Sequence, residues 1–501
     1  MTTAPSEPPT HANDRRADAG QPGGLMGGLP WYGPLAGFDP ARVPAMSRQN
    51  YRRELFAALF IPFMVVLFEG SVLSIIVRIA YEGRVDKDLL NQVSSFIAVI
   101  PALANLSSFI WVRATHGRHK VRAITRLLVM VTVVTFTMAF VPSNAIGLIW
   151  TAAAAFVARV GWSGFTTIRS TIWRTNYPQH ARARITGRFA MVATLMLAGL
   201  SAAIGTLLGW TDAIAQAGEL PSWLAWAPVE SADLPKWTMR VIIPIGCTIG
   251  VVGMVIWRSI RVRGHTVLVN AERRTAGPDT PTLNPADQIR VLLNDPDYGR
   301  FMLAQFFLGI GNIMSASVMP LILRERFGTG YLEGLLISTV IPLGLMPLAI
   351  PMWARLLDGR HIVFFRAIHS WVFVSALVML FFAYSEITLW VMFVFAATRG
   401  IAFGGGALGW TLGHLDFAKP EQATQYMGVH VTLTGVRGLI CVTTGATLYN
   451  TLENTGTGNA KWLILGCLVM TTLGALGFIH LWRDLIKRGR IKPNGARIDS
   501  D

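Results

Sequence analysis

Apolar runs of about 20 residues recur along almost the whole chain, and that spacing leaves few folds open. A helix of this length crosses the ~30 Å hydrocarbon layer of a bilayer. Only 14% of the 501 residues are charged and 52% are hydrophobic, with a mean hydropathy of +0.45. A soluble chain would carry about a quarter charged residues. The pattern predicts an all-α membrane protein with twelve spans, at 54–78, 89–112, 121–141, 144–168, 187–210, 238–257, 300–323, 332–354, 362–383, 387–412, 428–450 and 461–482.

The formal net charge of +16 raises the question of a nucleic-acid partner, and the placement of the charges answers it. With the amino terminus cytoplasmic, the tails and loops of that side, with the span ends next to them, hold 33 of the 44 Lys and Arg residues. The opposite side holds 8, and 3 stay inside spans. This is the positive-inside bias, helped by anionic lipid headgroups, and no nucleic acid is required. The expectation is a monomeric, multi-pass protein of the plasma membrane, a bacterial inner membrane, with both termini cytoplasmic. Cys247, Cys441 and Cys467 fall within spans at no metal-ligand spacing and read as small core residues. The first 47 residues show no secretory signal, and their "LPWYGPLAGF" suits a membrane surface.

An internal repeat organises the chain. "SVLSIIVR" (71–78) returns as "SVMPLILR" (317–324), "WVRATHGRHKVRAI" (111–124) as "WARLLDGRHIVFFRAI" (353–368), and "ARVGWSG" (158–164) as "TRGIAFG" (398–404). The offsets of 246, 242 and 240 residues argue for two homologous six-span halves. Because six is even, the halves are parallel repeats about an axis along the membrane normal. The expected units are a cytoplasmic tail (1–50), an amino-terminal bundle (51–258), a polar basic linker (259–297), a carboxy-terminal bundle (298–485) and a second cytoplasmic tail (486–501). Trp223, Trp226 and Trp237, in the long loop on the other side, suit headgroup depth.

Twelve spans in two parallel halves joined by a basic loop resemble a major facilitator superfamily transporter. The loops after spans 2 and 8 resemble that family's glycine and basic signature, through Gly117-Arg118-His119-Lys120 and Gly359-Arg360-His361. The aspartate that the family places three residues before the glycine-arginine pair is replaced by Ala114 and Leu356, while Asp358 stands beside Gly359. The resemblance implies a gating role for Gly117, Arg118, Asp358, Gly359 and Arg360. The alternative reading makes the same residues a topological anchor only, with glycine making the turn and the bases reaching helix carboxyl ends. The family's span 5 antiporter motif and its sugar-porter signature after span 6 are both missing.

Charges deep inside spans are costly and point to function. Four stand out: Glu69 in span 1, Arg159 in span 4, Arg399 in span 10 and Arg437 in span 11. Gln305 and Asn312 in span 7 lie two turns apart on one helix face. The resemblance implies that spans 1, 4, 7 and 10 line a central cavity, so Glu69, Arg159, Gln305, Asn312 and Arg399 converge there. Arg437, seven residues from His430, suits a packing role as well as substrate contact.

Three arginines against one glutamate invite a small organic or phosphorylated anion, since a planar guanidinium binds carboxylate or phosphate in two places. Glu69 is then the candidate proton site. The expected function is secondary active transport by alternating access. The alternatives are drug or metabolite efflux, and a transporter-like protein serving assembly or sensing. No metal cluster, phosphate-binding loop or nucleophile-base pair is visible, so an enzyme, a cofactor and a metal are not expected.

Overall fold

The computed structural model describes residues 38–224, 229–274, 286–329, 333–334 and 336–497. The "LPWYGPLAGF" segment up to Gly37, Trp226 and the middle of the linker lie outside the described residues, as does the side chain of Trp223.

Span 1 is divided into α1 (Arg48–Val65) and α2 (Gly70–Tyr81). Span 2 comprises α3 (Lys87–Leu106) and α4 (Ser108–Thr115). Spans 3 to 6 are α5 (Lys120–Thr137), α6 (Ala145–Asn176), α7 (Gln179–Ala217) and α8 (Leu234–Arg258). The linker contributes α9 (His265–Arg274) and α10 (Ala286–Asn294). Span 7 is α11 (Pro296–Ser317), and spans 8 to 12 are α12 (Ile341–Leu357), α13 (Ile362–Glu386), α14 (Leu389–Leu412), α15 (Ala423–Thr455) and α16 (Lys461–Lys487).

Among the described residues nine helices are long and apolar enough to cross a membrane, or eleven when each of two bent pairs counts as one span. The third position is filled by α5, whose first two turns carry Lys120, Arg122 and Arg126. The two bends have local causes. Pro101 lacks the amide that would continue the α3 ladder, and span 2 turns by 49° around residues 97–99. In span 1, Pro62 precedes a tightened turn at Val66–Phe68, Glu69 adopts an extended backbone (φ −70°, ψ 126°), and Gly70 restarts the helix after a 45° bend. A continuous apolar pattern hides this break from the sequence.

Helix starts follow from polar caps. Asp86 accepts from Asp88 and Leu89 amides, Asn144 from Gly147, and Asp295 from Tyr298. Within each half, small residues let helices approach, as lipid supplies no hydrophobic drive between them. Gly246, Gly250 and Gly253 of α8 lie against Phe63, Met64 and Ile61 of α1. Gly400 and Gly404 of α14 lie against Pro342, Met346 and Ala349 of α12 in the same way.

Among the described residues, the buried apolar side chains form three main clusters. One belongs to the first six spans, and one to the second six on the side away from the linker. The third joins both halves on the linker side, setting Ala183, Ile185 and Phe189 of α7 with Ile350, Trp353 and Ala354 of α12. The same face carries polar bonds between halves. The Ser108 hydroxyl donates to the Gly428 carbonyl at 2.8 Å, Thr171 and Thr424 share a hydrogen bond, and Arg174 donates to the Leu415 carbonyl. The molecule is closed on its linker face.

Candidate functional site

The break in span 1 places Glu69 opposite the middle of α6. Arg159 Nη1 donates to Glu69 Oε2 at 2.9 Å, with the arginine side chain 13% and the glutamate side chain 38% exposed. Glu69 also stands at the N-terminus of α2, where the helix dipole favours negative charge. The carboxylate is thus held by a guanidinium on one side and remains accessible on the other. Trp162, almost one turn after Arg159, stacks on Phe165 at 4.5 Å and meets Phe68 edge-on at 6.4 Å. It packs as a wall beside the ion pair.

Toward the linker face a second acid and base line a cavity of about 140 Å³ between α1, α6, α7 and α8, which Thr411 of α14 also borders. Glu54, only 2% exposed, accepts from Trp173 Nε1 at 2.6 Å and from the Tyr177 hydroxyl at 2.5 Å. Arg169 lies over the Phe165 and Trp173 rings at 4.8 and 4.2 Å and acts on Glu54 through its charge. Sequence reasoning missed this pair because Glu54 was the first residue of its predicted span and Arg169 fell one residue beyond span 4. The signal was the spacing: ten residues separate Arg159 and Arg169, and fifteen separate Glu54 and Glu69.

In the second half, Arg399 is 8% exposed on α14, with its guanidinium 5.8 and 4.9 Å from the Phe395 and Phe403 rings. It has no hydrogen-bond or ion-pair partner among the described residues. On α11, Asn312 Nδ2 donates back to the Leu308 carbonyl at 2.8 Å, while Gln305 is buried with its Oε1 unpartnered. Arg437 of α15 donates to the Gln305 carbonyl at 2.7 Å, packed against Gly309, where an added Cβ would lie 2.1 Å from its guanidinium carbon. Arg437 and Gln305 therefore meet at the α11–α15 contact inside the second half. Arg366 of α13, fully buried and 3.3 Å from His369 Nδ1, was counted with the linker-side bases and not singled out by sequence.

The two signature loops behave differently. Gly117 turns the first with φ +65° and Gly359 the second with φ +76°, a backbone region that favours glycine. In the first loop, the carboxylate absent at Ala114 arrives from the linker. Glu272 of α9 accepts from the Gly117 amide at 2.6 Å and from Lys120 Nζ at 2.8 Å, and Lys120 also donates to the Thr115 carbonyl at the end of α4. Arg118 is exposed. In the second loop, Asp358 accepts from the Ala183 amide at 2.8 Å and from Arg184 Nε at 2.7 Å, bridging the two halves. Burial raises the Asp358 carboxyl above the usual carboxylate value, against the pull of the Arg184 guanidinium. Arg360 donates weakly to Leu356 at 3.4 Å and accepts, through its carbonyl, from Arg497 of the returning tail.

No family model matches the sequence, and no curated protein does. Solved structures do match. The proton:xylose symporter XylE aligns over 88% of this chain and 96% of its own, at 12% identity and a TM-score of 0.61. The fucose transporter FucP in its outward conformation aligns over 86% and 98%, at 10% identity and a TM-score of 0.62. The human organic anion transporter MFSD10 aligns over 86% and 99%, at 13% identity and a TM-score of 0.54. This is the major facilitator fold.

The resemblance leads one to expect spans 1, 4, 7 and 10 around a common cavity; of the residues expected there, the structure brings Glu69 and Arg159 into contact. Glu69, Arg159, Asn312 and Arg399 are carried by those spans, and Arg437 is carried by span 11. Contacts between spans 2 and 11 are made by Gly435 and Gly438 of α15 against Ala102 of α3. Those between spans 5 and 8 are made by Gly187 of α7 against Ile350 and Ala354 of α12. Among the described residues, no group of three or more His, Cys, Asp or Glu side chains could hold a metal ion.

Proposed function

We propose that the chain is a secondary active transporter whose halves rock about the Glu69–Arg159 pair and Arg399, carrying a small organic or phosphorylated anion coupled to protons. The linker face is then cytoplasmic, a placement that the basic excess on that side supports. The likeness to solved transporters supports the transport class; the anion rests on the residues of this chain.

Arg399 carries the reading. A buried guanidinium without a carboxylate costs several kcal/mol unless a counter-ion meets it, and Arg399 lies between two phenyl rings with no acid partner among the described residues. An anionic substrate supplies that charge. Its arrival also competes with Glu69 for Arg159, so substrate binding and protonation of Glu69 become linked events.

The test is uptake into proteoliposomes of small carboxylates and phosphate esters, with and without a pH gradient. Arg399→Ala is expected to weaken anion uptake about tenfold or more while sparing any neutral solute carried. Equal loss for both classes would assign Arg399 to structure. Absence of transport under every gradient, with the protein folded, would remove the transport reading.

A further inference from the structure

A cavity of about 450 Å³ opens on the linker face, between the amino-terminal strap and the first turns of α7. The strap consists of two tight turns, Pro40–Arg42 and Ala45–Ser47, leading into α1. Five basic side chains line the cavity: Arg42, Arg48, His180, Arg184 and Arg188. The rest of the lining is small and apolar, and among the described residues no carboxylate contributes to it. Arg48 shapes the wall by donating to the Val43 and Ala41 carbonyls at 3.0 and 2.9 Å. Arg188 donates to the Tyr51 hydroxyl at 3.4 Å with its guanidinium 5.6 Å from that ring, and Arg184 reaches the His180 carbonyl at 3.2 Å. Arg42 is exposed, and its side chain has no partner among the described residues.

We propose that this cavity binds a phosphate group at the membrane rim. Guanidinium groups held around one space repel one another and are matched by an anion with several acceptor oxygens. The volume exceeds that of a phosphate ion and leaves room for what the phosphate is attached to. Beside the cavity, Met46 is 74% exposed, and Phe56, ten residues further on in α1, is 51% exposed. An anionic phospholipid headgroup of the linker-side leaflet therefore reaches the site with its acyl chains against that apolar surface. A free phosphate compound presents the same chemistry. The site lies apart from Glu69, Arg159 and Arg399 and does not depend on which solute is carried.

The experiment uses the full chain and measures binding, not transport. Nanodiscs of phosphatidylglycerol or phosphatidylcholine are compared by the lipid retained in native mass spectrometry, and inorganic phosphate is titrated calorimetrically. The variant Arg42→Gln with His180→Gln leaves the Arg184–Asp358 bridge in place, and Arg42→Gln alone alters one exposed side chain. Preferential retention of phosphatidylglycerol is expected, falling about tenfold in the double variant. Saturable phosphate binding that falls by the same factor would support the site with a soluble ligand. Equal retention of both lipids without phosphate binding, or unchanged binding in both variants, would overturn the proposal.

Discussion

Glu272 of the linker and Lys120 at the start of α5 form an ion pair 2.7 Å long in which each side chain is only 1% exposed. The pair joins residues 152 positions apart and ties α9 to the loop between spans 2 and 3. It supplies from the linker the carboxylate that the loop itself lacks.

We predict that Glu272→Ala releases α9 and lowers the thermal midpoint by about 5 °C or more. Removing one partner of a buried pair strands the other charge at a cost of about 3–5 kcal/mol. The double change Glu272→Leu with Lys120→Met is expected to recover most of the loss, because it leaves no charge behind. Thermal unfolding of the detergent-solubilised protein reads both. An unaltered midpoint in Glu272→Ala would show that the pair does not hold the linker.

Docking of α9 is also predicted to depend on pH. His119 of the loop and His265 of α9 lie ring to ring, 4.0 Å between centroids. Burial and neighbouring positive charge lower both below the ordinary histidine value of 6.5, and burial lowers His116 in the same loop, against the pull of Glu272. The facing charged groups are Lys120, Arg122, Arg113 and Glu272. A histidine with a depressed docked value binds its proton more readily when released. The docked state is therefore fully favoured above about 6.5 and loses ground as pH falls toward the lowered values. Hydrogen exchange of residues 265–274 should be faster at about pH 5.5 than at about pH 7.5, and identical rates would refute this.

Closure of the linker face rests on a close helix contact as well as on charge. A Cβ at Gly187 would lie 2.8 Å from Ile350 Cγ2, so Gly187→Leu is predicted to wedge α7 from α12 and open that face. Asp358→Asn weakens the bridge to Arg184 and acts in the same direction. Cysteine labelling at a linker-side position should accelerate several-fold in both variants. If labelling slows or stays constant, this interface is not the gate.

In the pair with Arg159, Glu69→Gln keeps the shape of the side chain and removes its charge. Transport driven by a pH gradient is predicted to vanish while exchange of one solute for itself persists. Retained coupling would exclude Glu69 as the proton carrier. Because Glu69 is 38% exposed, the variant is expected to fold with a midpoint close to that of the parent chain.

The sequence showed some of these relationships and concealed others for definite reasons. Glu69, Arg159 and Arg399 stood out because a charge inside twenty apolar residues has few explanations. Glu54, Arg169 and Arg366 did not, because each lies near a span end, where charges are ordinary. Only the structure shows α6 running on to Asn176, which brings Arg169 inside the bundle. Glu272 was hidden because its partner is remote in the chain, and linker charges are usually solvated. The distinction between Arg399, which has no partner among the described residues, and Arg437, which donates to Gln305, depends on side-chain direction, which periodicity does not encode.

The extended backbone at Glu69 gives the first span a joint one residue wide. A straight helix passes a push along its whole length, whereas α1 and α2 meet where the regular ladder gives way to a 3.3 Å bond from the Glu69 amide to the Val66 carbonyl. The carboxylate paired with Arg159 thus sits at the joint itself. On the proposed function, a change in its charge acts where two short rods meet, and chemistry and movement need no intervening lever.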